Sequence, residues 1–395
     1  MQLSPSEGHI WDDDKGEISL AQDDRDINER YARGEGRIVI ETNREKLPGF
    51  VEQLKTPNYM DLRPFYQRRP RWNPKQQSLL IESFIMNIPV PPVFLYEKDY
   101  NSYEVMDGQQ RITAIRDFYN NAFALRGLET WPELNGRYYR TLPEKIKAGV
   151  DRRSITSIVL LKESTENEEE ASTLRQIVFE RLNTGGVKLE RQEIRNALYR
   201  GKFNELLDEI TRWDQFREAW GIPRYVEGEI DTTPYILANP LYAKMGDAEL
   251  VLRFFALRHV EHYRGGMQGF LDRYMRRTVR FNDDDIKILR ELYAHTFNLA
   301  QEIYGDLLFK TYDSTEKQWD DKPHRAFYDA VMVGLQDYLS REAALKERRH
   351  QIIARTRALF EENPPGTFTG RGNTKADIQD RIGLFSKMIA ATLAA

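Results

Sequence analysis

The stretch Tyr103-Glu-Val-Met-Asp-Gly-Gln-Gln-Arg-Ile-Thr-Ala-Ile-Arg-Asp-Phe-Tyr119 constrains this chain most, because it reads as a strand delivered into a helix through a tight Asp107-Gly108 turn. The first turn of a helix carries unpaired N–H groups and partial positive charge, and ligands of α/β sheets collect at the carboxyl ends of strands. Such a junction is an anion site in waiting. Arg111 adds a forked cation there, and Gly108 lets backbone approach a ligand closely. Helical spacing of Ile112, Ile115 and Tyr119 supports the helix, with Asp107 as its N-cap and Asn120-Asn121 as its stop. The competing reading is a capped surface helix whose Gln109, Gln110 and Arg111 are merely solvated.

A chain of 395 residues has room for two or three compact units. With 40% hydrophobic and 30% charged residues, it has the composition of a globular protein. No apolar run is long enough to span a bilayer and the N-terminus lacks a basic-then-apolar leader, so the expected compartment is the cytoplasm. The absence of cysteine excludes disulfides and thiolate metal sites. A net charge of −4 means that any contact with nucleic acid must come from local patches. Three are candidates: Arg63, Arg68, Arg69, Arg71 and Lys75 interleaved with Phe65, Tyr66 and Trp72; Arg273, Arg276, Arg277 and Arg280, which could instead neutralise Asp283-Asp-Asp285; and Lys346, Arg348, Arg349, Arg355 and Arg357, better read as a solvated helix face. In the first, Tyr66 and Trp72 either stack on bases or pack inward.

Along the chain, residues 1–45 read as a polar, acid-rich arm with one short strand candidate at Ile38-Val-Ile40. Residues 46–165 alternate short strands and helices: a helix over Lys75–Met86, a strand over Val93–Tyr96, the strand and helix above, and a β-branched strand at Ile155–Leu161. From 166 to 395 helical periodicity takes over, including Leu250–His259, Ile286–Tyr304, Arg325–Leu339 and Ala343–Phe360. The expected class is α+β, a small α/β domain followed by a mostly helical, even all-α, C-terminal one.

Asp-Gly-Gln-Gln-Arg at 107–111 resembles the signature of the N-terminal domain of GmrSD-type modification-dependent restriction endonucleases, a family related to the ParB/sulfiredoxin fold. Further matches follow in the family's order: Tyr66-Gln67-Arg68 then Trp72, Leu80-Ile-Glu-Ser-Phe84 leading to Ile88-Pro-Val-Pro-Pro92, and Phe179-Glu-Arg-Leu-Asn-Thr-Gly-Gly186 running into Leu189-Glu-Arg-Gln-Glu-Ile-Arg-Asn-Ala197, a second motif spanning 179–197. The resemblance is strong over 62–201 and looser beyond, with Glu249–Ala256 the best later match. In ParB-like folds a Gly-x-x-Arg-x-x-Ala element cradles nucleotide phosphates, and Gly108, Arg111 and Ala114 fall at those positions. The resemblance therefore implies a nucleoside triphosphate held by Gly108, Gln109 and Arg111, with Gln67, Arg68, Arg181, Asn183, Gly185 and Gly186 as further binding candidates. The alternative reading of the glycine pair is a helix C-cap. Asp107, Gln110 and Arg111 are the catalytic candidates, and Asp107 is either a helix cap or a ligand of Mg²⁺ bridged to phosphate. Glutamines can orient water but are not bases at neutral pH.

In larger relatives a second domain carries a His-Asn-His nuclease motif, which is missing here. His324 in Lys322–Phe327 lacks the acidic and Asn context, and His259-x-x-His262 lacks an adjacent acid pair. The expected function is thus a nucleotide-binding, NTP-hydrolysing sensor subunit of a bacterial modification-dependent restriction or anti-phage system, acting on DNA, including modified phage DNA, with a nuclease partner. It is expected to be independent of membranes and free to oligomerise. The alternatives are a non-enzymatic DNA- or protein-binding module and a free-standing ParB-like nuclease. The module is favoured if Arg111 is buried against an acid.

Overall fold

The computed structural model describes residues 3–12, 24–25, 28, 39–62, 72–162, 177–178, 181–182, 191–199, 201–226, 234–364, 366–370 and 372–394. Two compact units are present: Ile18–Leu189, and Met1–Glu17 together with Glu190–Ala395. The division falls at 189/190 rather than 165. The arm 1–45 is not one element either, because its first residues pack with the helices and its last ones enter a strand.

The first unit holds a mixed five-stranded sheet of β1 (Ile40–Lys46), β2 (Met60–Asp61), β3 (Val93–Asp99), β4 (Ser102–Asp107) and β5 (Ser154–Leu160) in the order β1-β5-β3-β4-β2. The β1/β5 and β3/β4 pairs are antiparallel, and β3/β5 and β2/β4 are parallel. Burial on both faces explains why β3 and β5 read as apolar runs, whereas β1, an edge strand, is charged and exposed. Among the described residues the unit also holds helices α1 (Leu47–Gln53), α2 (Pro74–Met86), α3 (Gln109–Tyr119) and α4 (Glu144–Asp151). Helix α2 starts where Asn73 and Gln76 form a capping box and Pro74 fixes the first turn, and it stops at left-handed Asn87. Ile112, Ala114 and Ile115 of α3 are fully buried with Val93, Leu95 and Val105. Each of the two isoleucines contributes about 1.5–3 kcal/mol of apolar burial. The far end of α3 is fastened by polar groups: the Tyr119 and Tyr139 hydroxyls donate to Asp151 Oδ1 at 2.8 and 3.0 Å. Burial and the Asp151 carboxylate together push the Tyr139 phenol up to about 12.

The second unit is mostly helical, as expected. Its longer helices are α5 (Arg191–Leu198), α6 (Lys202–Thr211), α7 (Gly246–Leu257), α8 (Gly266–Thr278), α9 (Asp283–Tyr304), α10 (Arg325–Leu335), α11 (Arg349–Glu362) and α12 (Lys375–Ala394). Two expectations need correction. The region is not all-α, since β6 (Lys310–Asp313) and β7 (Gln318–Pro323) form an antiparallel hairpin in which Tyr312 packs edge-on to Trp319. The helix expected over Ala343–Phe360 is interrupted at Arg348, between Glu342–Glu347 and α11.

Several basic groups of this unit have partners within it. Arg273 donates to the His262 and Arg264 carbonyls, while Asp285 accepts from the backbone N–H groups of Ser6 and Asn282. That arginine and that aspartate are therefore engaged elsewhere rather than with each other. Arg348 and Arg355 bond Thr392 in the last turn of α12, where cations offset the helix dipole. Lys346 pairs with Glu302, and Arg357 pairs with Glu361.

Arg195 of the second motif is fully buried and joins three helices. Its guanidinium donates to Asp272 Oδ1 at 2.6 Å on α8, to Glu249 Oε2 at 3.0 Å on α7, and to Gln192 and Gln268. Burial alone would raise the Glu249 carboxyl, but Arg195 and Arg253 outweigh it and hold the group below its ordinary value. Replacing Arg195 with Ala removes the main partner of two carboxylates and leaves Asp272 with Arg191 at 3.7 Å and Glu249 with the Arg253 charge, so the full chain should lose about 3 kcal/mol in urea unfolding. Arg195→Lys should recover little, because one ammonium cannot reproduce a fork that serves three helices.

Candidate functional site

Strand β4 ends at Asp107 and α3 begins at Gln109, so Gly108 makes the whole turn. It is also the N-cap, with φ +96°, and no side chain caps the helix. The expectation that Asp107 caps α3 therefore fails. The Asp107 carboxylate faces Arg111 instead, accepting from Nη2 at 2.6 Å, and the same nitrogen donates to the Pro92 carbonyl at 3.2 Å. The Arg111 side chain is 15% exposed and that of Asp107 is 40% exposed. This is a guanidinium held under the helix start by an acid with one face open to water.

The glycine is explained by packing as well as by its backbone. A Cβ on Gly108 would lie 2.5 Å from Val93 Cγ1 and 3.0 Å from Arg111 Nη2. Neighbouring protein, not an approaching ligand, fills the space that the missing side chain leaves. Ala114, the third matched position of the phosphate-cradling element, lies in the core at 0% exposure.

The two glutamines act as tethers. Gln109 Nε2 donates to the Leu62 carbonyl at 2.6 Å, and Gln110 Oε1 accepts from the Trp72 backbone N–H at 3.0 Å. Adjacent residues of one helix turn thus hold both flanks of the 63–71 segment, and Trp72 packs against the apolar core. Gln67 and Arg68 lie within that segment and outside the described residues, as do Tyr66, Arg63, Arg69 and Arg71. Asn183, Gly185 and Gly186 also lie outside them. Arg181 is exposed, on helical backbone at 181–182. Among the candidates described, the structure brings together Asp107, Gly108, Gln109, Gln110 and Arg111.

Two buried polar atoms at this helix start find no hydrogen-bond partner among the described residues: Arg111 Nε and Gln109 Oε1. Buried polar groups are nearly always satisfied, so this donor and acceptor, two residues apart, call for a partner beyond the described residues. Among the described residues no cluster of three or more His, Asp or Glu groups could hold a metal by itself. A Mg²⁺ at Asp107 would need phosphate oxygens and water for its remaining ligands, as that ion commonly does. The sequence reading missed Val93, the Pro92 carbonyl, and the backbone of Leu62 and Trp72. Pro91-Pro92 before an apolar strand and the Trp72 position were visible signals, but main-chain partners leave no mark in a sequence.

Residues 51–200 match the family model described as the N-terminal domain of GmrSD restriction endonuclease. This stretch, which contains the Asp107–Arg111 turn and Arg195, is a domain of that family. No curated protein and no solved structure matches the chain.

Gly108→Ala should lower stability by about 1–3 kcal/mol, through the left-handed backbone and the overlap with Val93. In a double-variant cycle with Val93→Ala, denaturant unfolding should show a combined loss smaller than the sum of the two.

Proposed function

We propose that this chain is the nucleotide-sensing component of a bacterial modification-dependent restriction or anti-phage system. The family of residues 51–200 supports the restriction setting. The observation that carries the nucleotide part is the pair of buried atoms, Arg111 Nε and Gln109 Oε1, that have no partner among the described residues, at a helix N-terminus on the carboxyl edge of the sheet. A triphosphate would take backbone N–H groups of α3 and the Arg111 fork, with Gln67, Arg68, Arg181, Asn183, Gly185 and Gly186 as further contacts. Arg111 turning from Asp107 to a phosphate oxygen would leave Asp107 free to hold Mg²⁺. Gln110 would then orient a water, and any hydrolysis would depend on positioning and charge neutralisation rather than on a base. DNA recognition and cutting fall to a nuclease partner.

A second reading has its own observation. Arg111 is largely buried against Asp107, and both glutamines are used as tethers, so the signature can be accounted for as structure. That favours a DNA- or protein-binding module without nucleotide chemistry.

Calorimetric titration of the full chain with ATP, GTP, CTP and UTP plus Mg²⁺ separates the two. The nucleotide reading expects a binder whose affinity drops at least about tenfold, near 1.4 kcal/mol, in Arg111→Ala, and phosphate release on that binder decides hydrolysis. No binding by any of the four leaves the interaction module.

A further inference from the structure

Residues 3–12 make one short 3₁₀ turn, Glu7–His9, and are held to the helical unit mainly by two side chains. Glu7 is fully buried. Its carboxylate accepts from Arg258 Nη1 at 2.8 and 3.0 Å and from the Tyr274 hydroxyl at 3.0 Å, and it lies 3.0 Å from His259 Nε2. Burial alone would push this carboxyl up, yet the His259 hydrogen bond and the Arg258 charge hold it below its ordinary 4.5. Four residues on, Trp11 lies parallel to His262, 4.8 Å away at 7°, and to Phe270, 5.9 Å away at 5°, with the Arg277 guanidinium 4.6 Å from its ring centre. The Ser6 N–H adds a bond of 3.0 Å to Asp285.

These side chains that receive Glu7 and Trp11 come from residues 258–277, so both pockets are built without the segment that fills them. One pocket is a desolvated cationic slot that selects a carboxylate. The other is an aromatic and guanidinium slot that takes a flat aromatic ring; the Trp11 indole N–H is buried there with no partner among the described residues. We infer that the helical unit carries a peptide-binding site for a Glu-x-x-x-Trp ligand, held in cis by Ser4–Asp12 and able to release it and take the same sequence in trans. The inference is independent of nucleotide binding.

The test uses the full chain with a protease site inserted between Glu17 and Ile18, cut after folding. The 1–17 fragment should stay with the remainder through gel filtration, and a labelled synthetic 1–17 peptide in hundredfold excess should replace it. Glu7→Gln and Trp11→Ala should each weaken retention at least tenfold, while the uncut variants keep the helical circular dichroism of the parent. Two results overturn the inference: a wild-type fragment that leaves on cutting, or one that remains but never exchanges with peptide and so behaves as permanent core. Variants that lose their circular dichroism before cutting would also assign Glu7 and Trp11 to the core.

Discussion

The pairing of Arg111 with Asp107 is the constraint around which the sheet unit is arranged. It spans the single-residue turn at Gly108, ties α3 to the end of β4, and reaches the start of β3 through the Pro92 carbonyl. The same helix turn grips Leu62 and Trp72, so four pieces of chain meet where the helix dipole is positive. An ion pair that is partly open to water is worth little as pure stabilisation. Its significance is that an incoming anion must compete with Asp107 for Arg111, which makes this acid either a gate on the site or the reason that no anion binds.

The buried polar groups elsewhere follow a different logic. Glu82 is 5% exposed and accepts three backbone N–H bonds from residues 129–131, a local repair of loop backbone. Arg195 is enclosed by acids from two helices, and Glu7 by the Arg258 guanidinium with His259 and the Tyr274 hydroxyl beside it. Such groups are expensive to bury and more expensive to strand, so they fix which elements lie together rather than add net stability. Arg195 shows how a residue in a recognisable motif can belong to the scaffold: no part of its guanidinium is presented to a ligand.

The sequence was informative where a physical rule acts over a few residues. Helical spacing in α3, the β-branched run of β5 and the helix expected over Lys75–Met86 are local, and each element forms close to where those patterns predict. The family resemblance, read from motif order, agrees with the matched segment 51–200. Legibility failed where partners are distant or belong to the main chain. Asp107 has a good cap residue's chemistry, but Arg111, four positions on, competes for its carboxylate and wins. The hairpin at 310–323 escaped because Asp313-Ser-Thr-Glu-Lys317 carries no Gly or Pro to mark the turn; Lys317 takes the positive φ there instead. Glu7 reads as one acid in a polar arm, and only contacts some 250 residues away reveal it as buried.

The most direct test of the gate is the affinity of Asp107→Asn for inorganic triphosphate in metal-free buffer, compared with the parent chain. If Arg111 is shared between Asp107 and phosphate, removing the competing charge should tighten binding several-fold, while Arg111→Ala abolishes it. Unchanged or weaker binding in Asp107→Asn would contradict the gate and leave the pair as a fixed part of the scaffold.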